Sequence, residues 1–188
     1  MWNEQEVQLF LKAAQDSRFS IVFHMALVTG MRQGKLLGLR WKDVDLEKGH
    51  LTICQTLSHD GKTFLLGGKT KSSLRKILLP VSTVAKLKKH RTAVLKEKLS
   101  HGEEYQDNDL VMCTPSGTPI NPTNVRRSLN ALVKKVGVPK IRFHDLRHTH
   151  ATLLLAKGVN VKVISGRLGH SNIKITLDTY SHVLPTMQ

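Results

Sequence analysis

The sequence is poor in cysteine, in aromatic side chains and in acidic residues, and it has no long hydrophobic run. Its two cysteines, Cys54 and Cys113, are too few for a disulfide framework or a cysteine-based zinc site. No apolar stretch approaches the roughly 20 residues of a membrane-spanning helix, and the opening Met-Trp-Asn-Glu lacks the basic and apolar regions of a signal peptide. We therefore expect a cytoplasmic protein with reduced, buried thiols and no membrane partner.

The charge of the chain is strongly one-sided. Lysine and arginine total 29 against 14 acidic residues, which gives a formal net charge of +15. The basic residues are spread along the chain rather than gathered in one tail, so they suit a folded surface that faces a polyanion. Charge alone does not distinguish that case from a ribosomal-type or merely basic soluble protein.

The length of 188 residues fits one domain with its own core. Apolar residues recur with helical spacing over most of the chain, and Asn3 with Glu6 can form a capping box at the first helix. We predict helices from residue 3 onward and over 21–28, 32–37, 82–99, 121–136, 144–157, 161–168 and 173–180, with strands over 51–54 and 73–79. The expected fold class is mainly α with a small three-stranded antiparallel sheet near residues 50–80.

Two arginines, two histidines and a tyrosine are candidates for binding and attacking a phosphodiester. Arg32 lies two residues after a predicted helix end. His144 and Arg147 are three residues apart on a predicted helix, so they share a face. His170 closes a Leu-Gly-His turn, and Tyr180 follows ten residues later. Guanidinium groups bind a phosphate bidentately, and a phenol can act as a nucleophile once its proton is removed.

A zinc hydrolase is the alternative that the same region raises. His144 and His148 are four residues apart, which is the spacing of paired zinc ligands on a helix. The related motif needs a glutamate as the general base, where this chain has the shorter Asp145. Arg147 would also place a positive charge beside the metal cation. Both features argue against zinc.

The motifs together resemble the catalytic domain of the tyrosine recombinases, the phage-integrase family of site-specific recombinases. The resemblance covers nearly the whole chain. It is carried by segments 29–32, 36–39, 41–45, 69–73, 144–149, 168–171 and 179–180. Their order along the chain is more specific than any one motif. The resemblance implies a tyrosine-recombinase catalytic-domain fold, of the DNA breaking-rejoining enzyme type.

The resemblance also implies the role of each candidate side chain. Tyr180 would attack the scissile phosphate and form a 3′-phosphotyrosyl bond while a 5′-hydroxyl leaves. Arg32 and Arg147 would hold the non-bridging oxygens, His144 would assist as the base, and His170 would donate to the phosphoryl group. The bond energy is kept in the tyrosyl ester, so the reaction is expected to need no metal, no ATP and no other cofactor.

A lysine in the sheet region is implied as the acid that protonates the leaving 5′-oxygen. Lys69 matches best, because it directly precedes Thr70 as in the family's usual Lys-Thr pair. Lys71 is the competitor, since residues two apart point to the same face of a strand. Either lysine can alternatively be a plain phosphate contact.

Three positions depart from the family pattern: Lys35 replaces a usual acidic residue, Gly166 a longer polar one, and Leu74 a common basic one. An acidic residue at 35 would orient a neighbouring arginine, so Lys35 bears on the setting of Arg32. Residues 1–188 are expected to form the catalytic domain alone. The amino-terminal core-binding and arm-binding domains of complete recombinases are expected to be absent from this chain.

The expected function is that of a site-specific DNA recombinase or integrase of a phage, an integrative element or a transposon, acting in the bacterial cytoplasm at the nucleoid. Its expected partners are double-stranded DNA, other protomers of the same recombinase in a tetramer on paired sites, and an excisionase or host architectural protein. Two alternatives stay open: a catalytically silent DNA-binding module of the same fold, and a type IB topoisomerase-like enzyme.

Overall fold

The computed structural model describes residues 1–67 and 74–184, and it is mostly helical, as the periodicity predicts. The α-helices are α1 (Glu4–Ala14), α2 (Ser20–Thr29), α3 (Gln33–Leu37), α4 (Val81–His101), α5 (Pro122–Val136), α6 (Phe143–Ala156), α7 (Val161–Leu168) and α8 (Ile173–Tyr180). The strands are β1 (Val44–Asp45), β2 (His50–Thr52), β3 (Gln55–Leu57), β4 (Phe64–Leu66) and β5 (Lys76–Leu78). Each predicted helix is present.

The helix starts follow local side-chain chemistry. At α1 the predicted capping box is present: the Glu6 amide donates to Asn3 Oδ1 at 2.9 Å, and the Asn3 amide donates to Glu6 Oε2 at 2.8 Å. Asparagine side chains also accept from the first turns of α5, α7 and α8. These caps accept from amide groups at the helix start that have no partner within the helix. The sequence therefore predicts where these helices begin.

The sheet differs from the prediction in its strands. The three-stranded antiparallel sheet has the order β1-β2-β5, with Leu51 opposite Val44 on one side and Ile77 on the other. Its first strand therefore precedes residue 50. After β2 the chain leaves this sheet and forms a separate antiparallel hairpin, β3–β4, which turns around Asp60 and Gly61.

Contacts with α3 explain why the hairpin separates. The buried Gln55 side chain donates from Nε2 to the Gly38 carbonyl at 2.8 Å. A Cβ on Gly34 would lie 2.6 Å from the Leu57 carbonyl oxygen, so the absence of a side chain lets the hairpin lie against the helix. Both contacts join residues far apart in sequence, so no local sequence pattern predicts them.

The core has one large part and one small part near the carboxyl end. In the large part, the apolar helix α2 packs on α6, and α1 packs on α5. The small part joins α6, α7 and α8 through Ala151, Leu155, Ile164, Leu168 and Tyr180. Cys54 and Cys113 are free thiols; Cys113 is buried as expected, but Cys54 is only partly buried. Within the described residues, none of the helices combines the length and apolarity that a bilayer crossing requires.

Side chains of α6 and α7 satisfy the carboxyl-terminal carbonyls of α2. Gly30 ends α2 with a left-handed φ of 66°, and the last helical carbonyls lack partners within the helix. The three hydrogen bonds run from His150 Nδ1 to Leu27 O (2.8 Å), from Arg167 Nη2 to Val28 O (2.9 Å) and from Arg147 Nη1 to Gly30 O (2.8 Å). The start of the segment that contains Arg32 is thereby fixed against α6 and α7.

Gly30→Ala is expected to destabilise the domain by more than the cost of placing an alanine in the left-handed backbone conformation. That cost is about 1–2 kcal/mol, and a Cβ here would also lie 2.6 Å from His150 Cδ2 and 2.9 Å from Leu168 Cδ2. Urea unfolding measures the difference in free energy.

The matched control is Gly137→Ala. Gly137 ends α5 with a φ of 79°, yet a Cβ there would meet nothing within 4 Å. An equal loss of stability in the two variants would contradict the packing described for Gly30.

Candidate active site

Arg147 is a buried arginine that joins three segments of the chain. Its side chain extends from α6 and is 3% exposed. Nη1 donates to the Gly30 carbonyl at 2.8 Å, and Nη2 donates to the Leu168 carbonyl at 2.9 Å. Burial, followed by the charges of Arg32 and Arg75, lowers the pKa of the guanidinium to about 10. The group is held rigidly and stays protonated at neutral pH.

Arg32 immediately precedes α3, on the chain segment that Arg147 fixes. Its side chain is exposed and lines a cleft of about 550 Å³ together with His144. The cleft lies between α3, the β3–β4 hairpin and the amino-terminal ends of α5 and α6. The charge of Arg32 contributes to lowering the pKa of Arg147, after burial, so the two predicted phosphate ligands lie close together.

Arg75 is a third arginine in this region, and sequence reasoning missed it. Its guanidinium packs against Gly169, where an added Cβ would overlap Nη1. Nε and Nη2 are buried and have no hydrogen-bond partner among the described residues. Burial, followed by the charge of Arg32, lowers the pKa of Arg75 to about 10. A buried donor without a partner is costly unless a ligand occupies it.

Lys35 completes a group of four positive side chains, which we call the cationic cluster: Arg32, Lys35, Arg75 and Arg147. Burial, followed by the charges of the three arginines, lowers the pKa of Lys35 to about 8. No described carboxylate forms an ion pair with any of the four, whereas Arg18 and Arg40 elsewhere pair with Glu97 and Asp43. Such a group of positive charges without acidic partners is suited to binding an anion.

Tyr180 ends α8 and points inward, with 2% of its surface exposed. Its hydroxyl lies 2.8 Å from Nδ1 of His148 on α6, and the two ring centroids are 5.7 Å apart. Burial raises the pKa of the phenol, and Arg147 opposes that rise. The phenol therefore holds its proton at neutral pH and already has a hydrogen-bonding imidazole beside it.

The other two predicted histidines flank the same region. His144 is exposed, and its ring meets that of His148 edge to face at 4.9 Å. Burial lowers the pKa of His144, followed by His148, Arg147 and Arg32. His170 Nδ1 lies 2.7 Å from the Thr176 hydroxyl, and burial followed by the nearby arginines lowers its pKa to about 4. Neutral His170 that accepts from Thr176 carries its proton on Nε2, where it can donate to a ligand.

The structure therefore brings together five of the six side chains predicted for the site: Arg32, His144, Arg147, His170 and Tyr180. Lys69 and its competitor Lys71 lie outside the described residues. Arg75 and His148 were not assigned to the reaction. His148 was considered only as a zinc ligand, and the described part of the chain has no group of three or more His, Cys, Asp or Glu placed to hold a metal ion.

Comparison with known proteins assigns this arrangement to a family. The model described as "Phage integrase family" matches residues 2–187. The chain belongs to the phage integrase family. One relative is the "Tyrosine recombinase XerC-like" protein of Caldanaerobacter subterraneus, which is 36% identical to this phage-integrase chain. The match covers 98% of this chain and 50% of the relative. The "ICEBs1 integrase" of Bacillus subtilis is 29% identical over 100% of this chain and 51% of its own length.

Solved structures confirm the expected fold of this phage-integrase chain. The integrase of transposon Tn1549, in complex with circular intermediate DNA, superposes with a TM-score of 0.80 at 22% identity, covering 100% of this chain and 63% of that one. The catalytic domain of bacteriophage HP1 integrase gives a TM-score of 0.65 at 18% identity, covering 100% and 89%. The chain spans about half the length of the curated relatives it matches.

Lys35→Glu is expected to stabilise the free domain at neutral pH. The carboxylate would replace a repelling charge with one that attracts Arg32, Arg75 and Arg147. A gain of about 1 kcal/mol would raise the Tm by about 2–4 °C in a domain of this size. The control is Lys89→Glu, which changes the net charge equally on an exposed part of α4.

The same variant is expected to alter the pH dependence of unfolding. The pKa of Lys35 is about 8 in the folded protein, below the ordinary lysine value of 10.5. Between these values the unfolded chain binds more protons, so wild-type stability gains a contribution as pH rises. Lys35→Glu removes that contribution. A fall in Tm with Lys35→Glu, or the same Tm change in the Lys89 control, would contradict the cluster.

Proposed function

We propose that this chain is the catalytic domain of a site-specific DNA recombinase that cleaves and rejoins DNA through a 3′-phosphotyrosyl intermediate. The observation that carries the proposal is the cationic cluster beside the buried phenol of Tyr180. Family membership and the likeness to a DNA-bound transposon integrase support it. Integration or excision of a prophage or other mobile element is the biological process that such an activity serves.

The cationic cluster fits the demands of phosphoryl transfer. Negative charge accumulates on the non-bridging oxygens in the transition state, and pre-oriented donors stabilise it without reorganising. Arg147 is pre-oriented by its two carbonyl partners. Arg32 is exposed and can close on the same phosphate from the cleft, while Arg75 offers donors that have no described protein partner.

Tyr180 would supply the nucleophile, and the reaction would need no co-reactant because one phosphoester bond forms as another breaks. Its oxygen forms a bond to phosphorus, the bond from phosphorus to the 5′-oxygen breaks, and the phenol proton passes to a base. The leaving 5′-oxygen takes a proton from Lys69 or from Lys71. This role of the lysine rests only on the family resemblance. Rejoining reverses each step, with the 5′-hydroxyl attacking and Tyr180 leaving.

Double-stranded DNA is the proposed partner. The formal net charge is +15, and exposed Arg126 and Arg142 line the same cleft as Arg32. A tetramer on paired sites, an excisionase or host architectural protein, nucleoid association, and core-binding and arm-binding domains outside this chain stay predictions from the family resemblance.

Tyr180→Phe is expected to abolish a covalent protein–DNA adduct that wild type forms on a nicked suicide site. Denaturing electrophoresis detects the adduct, and mass spectrometry of the digested complex locates it. Tyr105→Phe is the matched control, because Tyr105 is the only other tyrosine and its hydroxyl contacts Cys113 instead.

The outcomes separate the alternatives. No adduct from wild type on its own attachment site would favour a catalytically silent binding module. An adduct on any sequence, with relaxation of supercoiled DNA, would favour a topoisomerase-like enzyme. An adduct that survives Tyr180→Phe would overturn the assignment of the nucleophile.

Arg75→Lys is expected to slow adduct formation by about 10²–10³, the usual cost of one lost charge-stabilising donor. A lysine cannot reproduce the planar fork of donors beside Gly169. Single-turnover rates measure the effect, and Arg91→Lys is the control, since Arg91 stacks over Trp41 outside the cluster. Equal rates for wild type and Arg75→Lys would remove Arg75 from the phosphate site.

A further inference from the structure

The hydroxyl of Tyr180 has one side-chain partner in the described structure, and it is not the histidine that the resemblance names as the base. His148 Nδ1 lies 2.8 Å from the phenol oxygen. Both residues extend from helices, α6 and α8, and Tyr180 is part of the small core that joins these helices. The hydrogen bond therefore lies beside this small core and joins two of the helices that form it.

His144 occupies a different position relative to the phenol. It lies one helical turn before His148 and lines the cleft with Arg32. Its ring touches the ring of His148, with centroids 4.9 Å apart, and no hydrogen bond joins it to Tyr180 in the described part of the chain. His144 is thus placed to meet the DNA phosphate, while His148 lies between it and the nucleophile.

The electrostatic setting keeps His148 able to accept a proton. Burial lowers the pKa of His148, the Asp145 carboxylate opposes this, and the charges of Arg147, Arg142 and the N-terminal amine add to the lowering. The ring is therefore neutral at neutral pH, when Nδ1 can be its unprotonated nitrogen. The titratable or charged groups around it come from several elements. They are His144, Asp145 and Arg147 from α6, Arg142 immediately before α6, Tyr180 from α8, His170 from the α7–α8 turn, and the N-terminal amine.

We propose that His148 is the general base for Tyr180: its Nδ1 takes the phenol proton as the tyrosine oxygen attacks phosphorus. The proposal rests on the recombinase function proposed above. The oxygen–phosphorus bond forms, the bond to the 5′-oxygen breaks, and the phenol proton ends on the imidazole. The leaving 5′-oxygen takes its proton from the separate acid of the function proposed above. In rejoining, the 5′-hydroxyl attacks the phosphotyrosine and gives its proton back to that acid, and the imidazolium returns its proton to the departing phenol oxygen.

His148→Asn is the variant that separates proton transfer from positioning. The asparagine oxygen can take the place of Nδ1 and accept the phenol hydrogen bond, yet an amide does not take up the proton. We expect the single-turnover rate of adduct formation to fall by about 10²–10⁴, the usual contribution of a general base. DNA affinity and Tm should stay close to the wild-type values.

The pH profile gives a readout that a structural role would not move. In wild type, the rate should fall toward acid as His148 becomes protonated, and His148→Asn should lack this acid limb. His144→Asn is the matched control on the same helix face. It is expected to slow the reaction while keeping the acid limb, because the base is still present.

The failures of the two proposals are distinguishable. If wild type forms no adduct, the recombinase function fails. If wild type forms the adduct and His148→Asn keeps its rate or its acid limb, His148 is not the base and the recombinase function stands. An acid limb that disappears only in His144→Asn would return the role to His144.

A measurement on unmodified protein covers the case in which His148→Asn does not fold. Nitrogen NMR of ¹⁵N-histidine protein reports the protonation of each imidazole nitrogen. The proposal requires Nδ1 of His148 to be unprotonated at neutral pH and to titrate with the midpoint of the acid limb. A proton on Nδ1 at neutral pH would overturn it.

Discussion

The fold around the site depends on the way that Arg147 bridges two helix ends. Its guanidinium donates to the carbonyl that follows α2 and to the last residue of α7, so one buried side chain from α6 joins the segments that contain Arg32 and His170. Charge-assisted hydrogen bonds to carbonyls at helix carboxyl termini are favourable both locally and with the helix dipole. His150 and Arg167 repeat the same contact at Leu27 and Val28. The helix ends of α2 and α7 are therefore held at the place where the positive charges converge.

The convergence of these charges costs stability in the free protein. Four positive side chains share a partly buried region without a described carboxylate, and burial with mutual repulsion lowers the pKa of Lys35, Arg75 and Arg147. Natural proteins retain such strain mainly at functional sites, where a ligand removes it. Under the proposed function, a DNA phosphate would supply the missing negative charge. On this view the domain is more stable on DNA than alone, and binding energy is available to orient the phosphate.

Most of the helices and part of the site could be predicted from sequence, because the signals are local. The capping box of Asn3 and Glu6 and the asparagine caps of α5, α7 and α8 lie within a few residues of what they satisfy. The separate β3–β4 hairpin, Arg75 and His148 were missed for the opposite reason. Gln55 bonds across to Gly38, Arg75 packs on Gly169, and His148 meets a phenol 32 residues away. Such pairings depend on three-dimensional packing. The spacing of residues in a single sequence does not indicate them. The motif around Arg147 predicts the candidate site residues, but only the fold shows that Tyr180 contacts His148.

The most direct test of the central claim is a crystal structure of the Tyr180→Phe protein bound to its nicked recombination site. The account predicts that the non-bridging oxygens of the scissile phosphate lie within hydrogen-bonding distance, about 3 Å, of the guanidinium groups of Arg32 and Arg147. It also predicts that the ring at position 180 faces the phosphorus opposite the 5′-oxygen. A scissile phosphate bound on another surface, with Arg32 and Arg147 free of it, would contradict the account.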